Sequence, residues 1–276
     1  LLEYDVPRPR ALLGHEHFHR LLDNIKDILP ADYRSFYISA AGSGSSVMQR
    51  IKKELSDHIG LFEADDNGDL LLRIRRSKHG WDVLIRLTPR PLATRDWRIC
   101  DYEGALNGPT AYAMASLSKP ASSDVVVNLA CGSATLMIER ITHTPPAHII
   151  GIDNTDTALD CARQNLNQAG IDPLMATLIK GDIRKTSLPD ATVDTIYADL
   201  PFGQLTGSHE ENLSLYPETL REAARIAKKG ASFVLITHEV RLIEQVLDQS
   251  TQWYINRVIR VSLRGLHPRI YLLRKR

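Results

Sequence analysis

From Val125 onward, short apolar runs alternate with segments of helical spacing, and no other feature constrains the fold as tightly. Residues 125–129, 149–153, 193–199 and 232–237 are runs of the length of buried strands. Uninterrupted apolar runs are expected of parallel strands covered on both faces. A further strand is expected at 174–180. Between these runs, 135–142, 156–169, 215–227 and 239–248 repeat their apolar positions at helical spacing, with Gly170 as a stop signal. Residues 253–263 and 269–273 read as a closing antiparallel hairpin around Arg264-Gly265-Leu266-His267-Pro268. The expected fold class is α/β, with a doubly wound sheet.

The first ninety residues are organised differently. Residues 12–29 place Leu13, Phe18, Leu21, Leu22, Ile25, Ile28 and Leu29 on one helical face, and Pro30 ends the run. A strand is expected at 36–40, then a Gly/Ser loop whose last Ser, Ser46, caps a helix over 46–59. Strands at 70–74 and 81–87 flank Lys78-His79-Gly80. The expected domains are a compact α+β unit at 1–88, a linker at 89–107 and an α/β domain at 108–276, entered by a helix with Pro109 in its first turn.

Composition narrows the class. In 276 residues, 43% apolar content supplies a core and 24% charged content a surface. No apolar run is long enough to span a bilayer as a helix, and 1–10 is too polar for a signal peptide. Leu1 in place of Met suggests a fragment or processed form. Cys100, Cys131 and Cys161 are distant and odd in number, which fits neither a disulfide framework nor a zinc site. A reducing, cytoplasmic setting without metal is expected. The net charge of +1 hides basic stretches at 73–98 and 257–276, which could engage phosphates, though a charge cluster alone is more often a solvated face.

Open α/β sheets bind ligands at the carboxyl ends of their strands. Four polar stretches fall there: Asn128–Gly132, Asp153-Asn154, Gly181-Asp182 and Asp199–Gly203. Gly132 permits close backbone approach, though the dinucleotide pattern G-x-G-x-x-G is missing. Asp153 is placed to accept ribose hydroxyls, and Asp182 to accept from an adenine amine. Each has a plainer reading, as a helix cap and as a turn. In Asp199-Leu200-Pro201-Phe202, a carboxylate and the carbonyl of Leu200 or Pro201 would hold an exocyclic amine. Pro201 stiffens the turn and Phe202 stacks on a flat base.

These residues carry a resemblance. Asn128–Leu136 with Asp199–Gly203 resembles the S-adenosylmethionine-dependent methyltransferases that modify nucleic-acid amines, whose patterns are D-P-x-C-G-S-G-T and [DN]-P-P-[YF]-G. The THUMP-domain RNA guanine-N2 methyltransferases, transfer-RNA branch, are the nearest match. Residues 91–98 resemble their P-L-x-x-R-G-Y-R linker, 207–213 with Leu215-Tyr216 the loop after the catalytic motif, and 264–268 their glycine turn.

The resemblance implies a Rossmann-like seven-stranded class I methyltransferase sheet behind an N-terminal THUMP-like α+β domain. A truncated ferredoxin-like segment before that domain fits the non-Met start. It implies S-adenosylmethionine as cofactor, RNA (most of all tRNA) as partner, and no metal or membrane. Asn128, Ala130 and Gly132 would line the methionine side. Asp153 and Asn154 would serve the ribose, and Gly181, Asp182 and Ile183 the adenine. Asp199, Pro201 and Phe202 would be catalytic, with Asp199 also facing the cofactor. Arg73, Arg75, Arg76, Arg95, Arg98 and Arg264 would contact RNA. Asn128, Leu129, Ala134 and Leu200 depart from the family residues Asp, Pro, Gly and Pro. Losing the Asp charge at 128 is expected to weaken cofactor binding by about 1.5–3 kcal/mol.

Three other readings compete: adenine-N6 methylation of RNA or DNA, a non-catalytic RNA-binding adaptor, and a nucleotide-dependent oxidoreductase. The missing glycine fingerprint and Asp199–Phe202 weigh against the last. Target position, mono- versus dimethylation and oligomeric state are not encoded in any motif.

Overall fold

A computed structural model describes residues 1–86, 88, 90–201, 208–263 and 265–276. The chain divides into two compact units, Leu1–Thr94 and Arg95–Arg276.

The N-terminal unit contains β1 (Leu2–Tyr4), a 3-10 turn (Pro9–Leu13), α1 (His15–Ile28), β2 (Ser35–Ala40), α2 (Ser46–Ile59), β3 (Phe62–Glu63), β4 (Leu70–Arg76) and β5 (Trp81–Arg86). Its sheet has the order β1-β5-β4-β2-β3. Phe18, Leu21, Leu22 and Ile25 of α1 pack with Met48, Ile51 and Leu55 of α2 against Phe36, Ile38, Leu72 and Val83. The expected helix at 12–29 starts later, because Pro9–Leu13 winds as a 3-10 turn and Gly14 begins the α-helix. Ser45, not Ser46, caps α2 by accepting from the Met48 amide. The strands β1 and β3 are too short to show periodicity and were not expected.

The C-terminal unit contains α3 (Gly108–Leu117), β6 (Val125–Leu129), α4 (Thr135–His143), β7 (His148–Asp153), α5 (Asp156–Gln168), β8 (Ala176–Lys180), β9 (Val193–Asp199), α6 (His209–Ile226), β10 (Ala227–Thr237), α7 (Val240–Asp248), β11 (Trp253–Arg260) and β12 (Arg269–Lys275). Its seven strands lie in the order β11-β12-β10-β9-β6-β7-β8. The strands from β10 to β8 are mutually parallel, and β12 and β11 close the sheet antiparallel, as the alternation predicts.

Alternation along each buried strand feeds two cores. Val127, Leu129, Ile196, Ala198, Phe233 and Leu235 face a layer containing α6 and α7. Val126, Tyr197, Val234 and Ile236 face a layer containing α3, α4 and α5. The strand order reverses between β6 and β9, which puts the carboxyl-end crevice of the sheet at Ala130–Ala134 and Leu200.

Three sequence expectations shift here. Residues 95–107, read as linker, belong to the C-terminal unit. There Arg95 pairs with the buried Glu139, and the Asn107 side chain caps α3. The helix expected at 215–227 starts at His209, because Ser208 and Glu211 form a reciprocal capping box. The strand expected at 232–237 starts at Ala227, with Lys228-Lys229-Gly230 as an irregular stretch across which its register against β9 shifts, between Ala227 and Ser232.

Candidate active site

The turn after β6 is wound by left-handed residues: Ala130 at φ 51°, Gly132 at 51° and Ala134 at 64°. The two alanines bear a steric cost of about 1–2 kcal/mol each in that conformation. Such strain is held only where the surroundings over-determine it. Here the Gly132 amide donates to Asp153 Oδ2 at 2.9 Å, and the Thr155 amide and hydroxyl donate to Asp153 Oδ1 at 3.2 and 3.1 Å. Asp153 therefore anchors the turn. By the usual four acceptor sites of a carboxylate, about one remains open on Asp153. Its plainer reading as a helix cap is not met, since Thr155 caps α5.

Asn128, 1% exposed, donates through Nδ2 to the carbonyls of Leu129 and Tyr197 at 3.2 and 3.4 Å. Its Oδ1 has no hydrogen-bond partner. A buried acceptor left unpaired costs about 1–3 kcal/mol, so a bound donor such as an ammonium group fits it. Ala130 and Gly181 are half-buried, Ile183 is buried, and Asn154 and Asp182 are exposed. Arg184 grips Asp182 through both carboxylate oxygens and holds its carboxyl below the usual range.

The strap over this turn carries no local sequence signal. Asn165, fully buried, accepts from the amides of Ile99 and Cys100 at 3.0 Å and donates to the carbonyls of Cys100 and Ser133 at 3.0 and 3.1 Å. Arg98 donates to the Leu106 carbonyl and the Thr135 hydroxyl at 2.6 and 2.7 Å. The Tyr102 hydroxyl lies 3.5 Å from Thr155 Oγ1, and its ring is the nearest neighbour above Gly132. Cys100 and Cys161, expected to be unpaired, form a disulfide with a Cα–Cα distance of 5.4 Å. Sixty-one residues separate them in sequence, so only the packing of the strap on α5 brings them together. Cys131 is buried, and burial pushes its thiol well above the ordinary value.

The neighbouring turn, after β9, holds Asp199, Leu200 and Pro201. The Leu200 amide donates to the Ile236 carbonyl at 3.1 Å, holding the turn on β10. Pro201's carbonyl accepts from Asn212 Nδ2 at 3.0 Å and from the Tyr216 hydroxyl at 2.7 Å. With its proton spent there, Tyr216 accepts from Thr237 at 2.6 Å, and Thr237 in turn accepts from the Glu239 amide at 3.0 Å. The carbonyl of Pro201, one of the two expected amine acceptors, is thus already occupied. Leu200's carbonyl has no donor among the described residues. Asp199 is only half-exposed, and burial pushes its carboxyl up to about 7. Phe202 lies outside the described residues, as does Arg264.

The other expected RNA contacts differ in kind. Arg73 and Arg76 are exposed, and Arg75 bonds the buried Asp82 at 3.2 Å. Arg95 and Arg98 are half-buried and engaged with Glu139 and the strap. Among the described residues no cluster of three or more His, Cys, Asp or Glu is placed to hold a metal, and no helix is long and apolar enough to cross a membrane.

This sheet order, with a strained glycine turn after one central strand and an acidic turn after the next, defines a Rossmann-like methyltransferase domain. Residues 95–269 match the family described as UPF0020, RMKL-like, methyltransferase domain, and the chain belongs to that family. It is 32% identical to mouse tRNA (guanine(6)-N(2))-methyltransferase THUMP3 over 182 residues, 62% of this chain and 36% of that protein. It is 26% identical to bovine U6 snRNA (guanine-N(2))-methyltransferase THUMPD2 over 235 residues, 81% of this chain and 45% of that protein. The chain thus spans less than half the length of these relatives. Among solved structures, TrmN from Thermus thermophilus shares the fold with a TM-score of 0.74 at 22% identity, covering 96% of this chain and 80% of that one. SMU.472, a putative methyltransferase complexed with SAH, does so with a TM-score of 0.68 at 17% identity, covering 92% and 80%.

Proposed function

We propose that this chain transfers a methyl group from S-adenosylmethionine to N2 of a guanine in RNA, with transfer RNA as the leading substrate. The observation that carries the reading is the pair of acceptors at the end of β9: the Asp199 carboxylate and the unused carbonyl of Leu200. A guanine N2 amine has two N–H groups and a lone pair delocalised into the ring. One acceptor on each N–H fixes the amine and turns the lone pair toward an electrophile. Positioning of this kind contributes up to about 7–11 kcal/mol for ideally oriented groups.

When bound, S-adenosylmethionine would supply an electrophilic methyl, whose transfer to N2 would exchange a carbon–sulfur bond for a carbon–nitrogen bond and leave a neutral thioether. Asp199, which would hold one of the N–H groups, would take the proton released from N2. A carboxyl of pKa about 7 accepts it readily near neutral pH. On the cofactor side, Asn128 Oδ1 would receive the ammonium, the Asp153 lone pair one ribose hydroxyl, and Asn154, Asp182 and Ile183 would line the adenine end. The left-handed turn at 130–134 brings backbone rather than side chains against the ligand. Ala134 already holds the conformation that a glycine would favour, which supports a working turn over a decayed one.

The N-terminal unit is read as THUMP-like and RNA-holding, with the exposed Arg73 and Arg76 as phosphate contacts. A transfer-RNA substrate favours a cytoplasmic setting. The two kinds of relative set the test. Unmodified transfer RNA and U6 small nuclear RNA are incubated separately with protein and S-adenosylmethionine, and their nucleosides are measured by mass spectrometry. N2-methylguanosine is expected to rise in the transfer-RNA arm. A rise confined to U6 RNA replaces the substrate. A rise of N6-methyladenosine, or none in either arm, overturns the reading.

A further inference from the structure

Beside the β9 turn lies a groove of about 530 Å³ that no sequence motif announces. It is lined by His209 and Leu213 at the start of α6, and by His238, Glu239, Arg241 and Gln245 at the junction of β10 and α7. The hydrogen-bonded series Pro201–Tyr216–Thr237–Glu239 joins the catalytic turn directly to its wall. We propose that this groove is the subsite for the nucleotide flanking the target guanine, with Arg241 on its phosphate and Leu213 and His209 against its sugar or base. The proposal rests on the RNA reading above.

Three observations point to that occupant. First, the target base is covalently tied to its neighbours. An enzyme that works on an extruded base must accommodate the flanking nucleotides on the surface beside the base pocket, and contacts there set sequence context. The groove occupies that position, and its volume lies within the usual range of about 300–1,000 Å³ for ligand sites. Second, its lining combines the two chemistries a nucleotide needs. Arg241 is exposed and has no ion-pair partner among the described residues. The acid in the groove, Glu239, is engaged by His209 Nδ1 at 3.0 Å. Third, Leu213 is 53% exposed, one of the large apolar side chains left to solvent, and it forms part of the groove wall. A flat base or sugar face covers such a side chain, whereas a free phosphate does not.

The test uses the whole chain and a pool of unmodified transfer-RNA transcripts. RNA binding is followed by fluorescence anisotropy from 50 to 300 mM salt (about, for the range of counterion release), and methylation by nucleoside mass spectrometry. Arg241→Ala is expected to raise KM for RNA about tenfold and to flatten the log–log salt slope by about 0.7–0.9, the signature of one lost phosphate contact. Affinity for S-adenosylmethionine and the melting temperature should not move. Arg241→Lys should restore the slope, since it keeps the charge. Leu213→Ala should weaken binding without changing the slope. Arg163→Ala, an exposed arginine on α5, serves as the remote control. If Arg241→Ala keeps the wild-type slope and KM, or if Arg163→Ala flattens the slope equally, the groove is not the subsite. A wild-type protein that neither binds nor methylates RNA overturns the functional reading and the groove with it. Normal wild-type methylation with an unaltered Arg241→Ala overturns the groove alone.

Discussion

The turns after β6 and β9 stand side by side at the carboxyl edge of one sheet and are built on opposite principles. In the first, the acid is satisfied: Asp153 takes three donors from Gly132 and Thr155, and its charge is consumed in holding a strained backbone. In the second, the acid is left in want: Asp199 is half-buried, no donor among the described residues reaches it, and burial pushes its carboxyl up to about 7. The hydrogen bonds of the second turn go instead to Pro201's carbonyl, fixing the backbone and leaving the carboxylate free. One turn spends its polar groups on shape. The other leaves its carboxylate without a donor among the described residues.

The largest effect expected from breaking this contrast is at Asp199. Asp199→Ala should lower the single-turnover methylation rate by about 10²–10⁴-fold. Asp199→Asn should be similarly inactive yet more stable. The raised carboxyl favours the folded state while it is protonated, so its contribution is full below about pH 4 and is lost as pH rises through about 7. Calorimetric melting at pH 8 should therefore show the Asn variant a few degrees above wild type, with the difference vanishing near pH 4.

At Asp153 the expectation reverses. Asp153→Ala removes an anchor as well as the proposed ribose contact, and titration calorimetry should show S-adenosylmethionine binding weakened by about 1.5–3 kcal/mol, together with a lower melting temperature. Tyr216→Phe should leave cofactor affinity intact and lower kcat about tenfold, because it loosens the Pro201 carbonyl that sets the Leu200 acceptor. The smallest effect belongs to Ala134→Gly. Relieving a left-handed alanine should stabilise the domain by about 0.5–1 kcal/mol in chemical denaturation, with catalysis unchanged in sign.

The same contrast explains what could be read from sequence. The β6 and β9 turns were legible because each follows an uninterrupted apolar run, and local chemistry marks its end. The start of α6 was missed by six residues although Ser208 and Glu211 spell out a capping box, because the apolar repeat begins only at Leu215. The strap was not legible at all. Its order comes from Asn165 and Cys161, on a helix more than sixty residues downstream, and neither residue type marks such a role locally. The occupancy of Pro201's carbonyl is illegible for the same reason: Asn212 and Tyr216, which occupy it, lie outside the motif.

The pH dependence of single-turnover N2-methylguanosine formation, with protein in excess over transfer RNA and S-adenosylmethionine saturating, tests the role of Asp199 most directly. The rate should climb about tenfold per pH unit below neutrality and level off above about pH 7, as the Asp199 carboxyl ionises. A rate that is flat between about pH 5.5 and 8 would contradict an acceptor with that ionisation, as would methylation appearing on a different nucleoside.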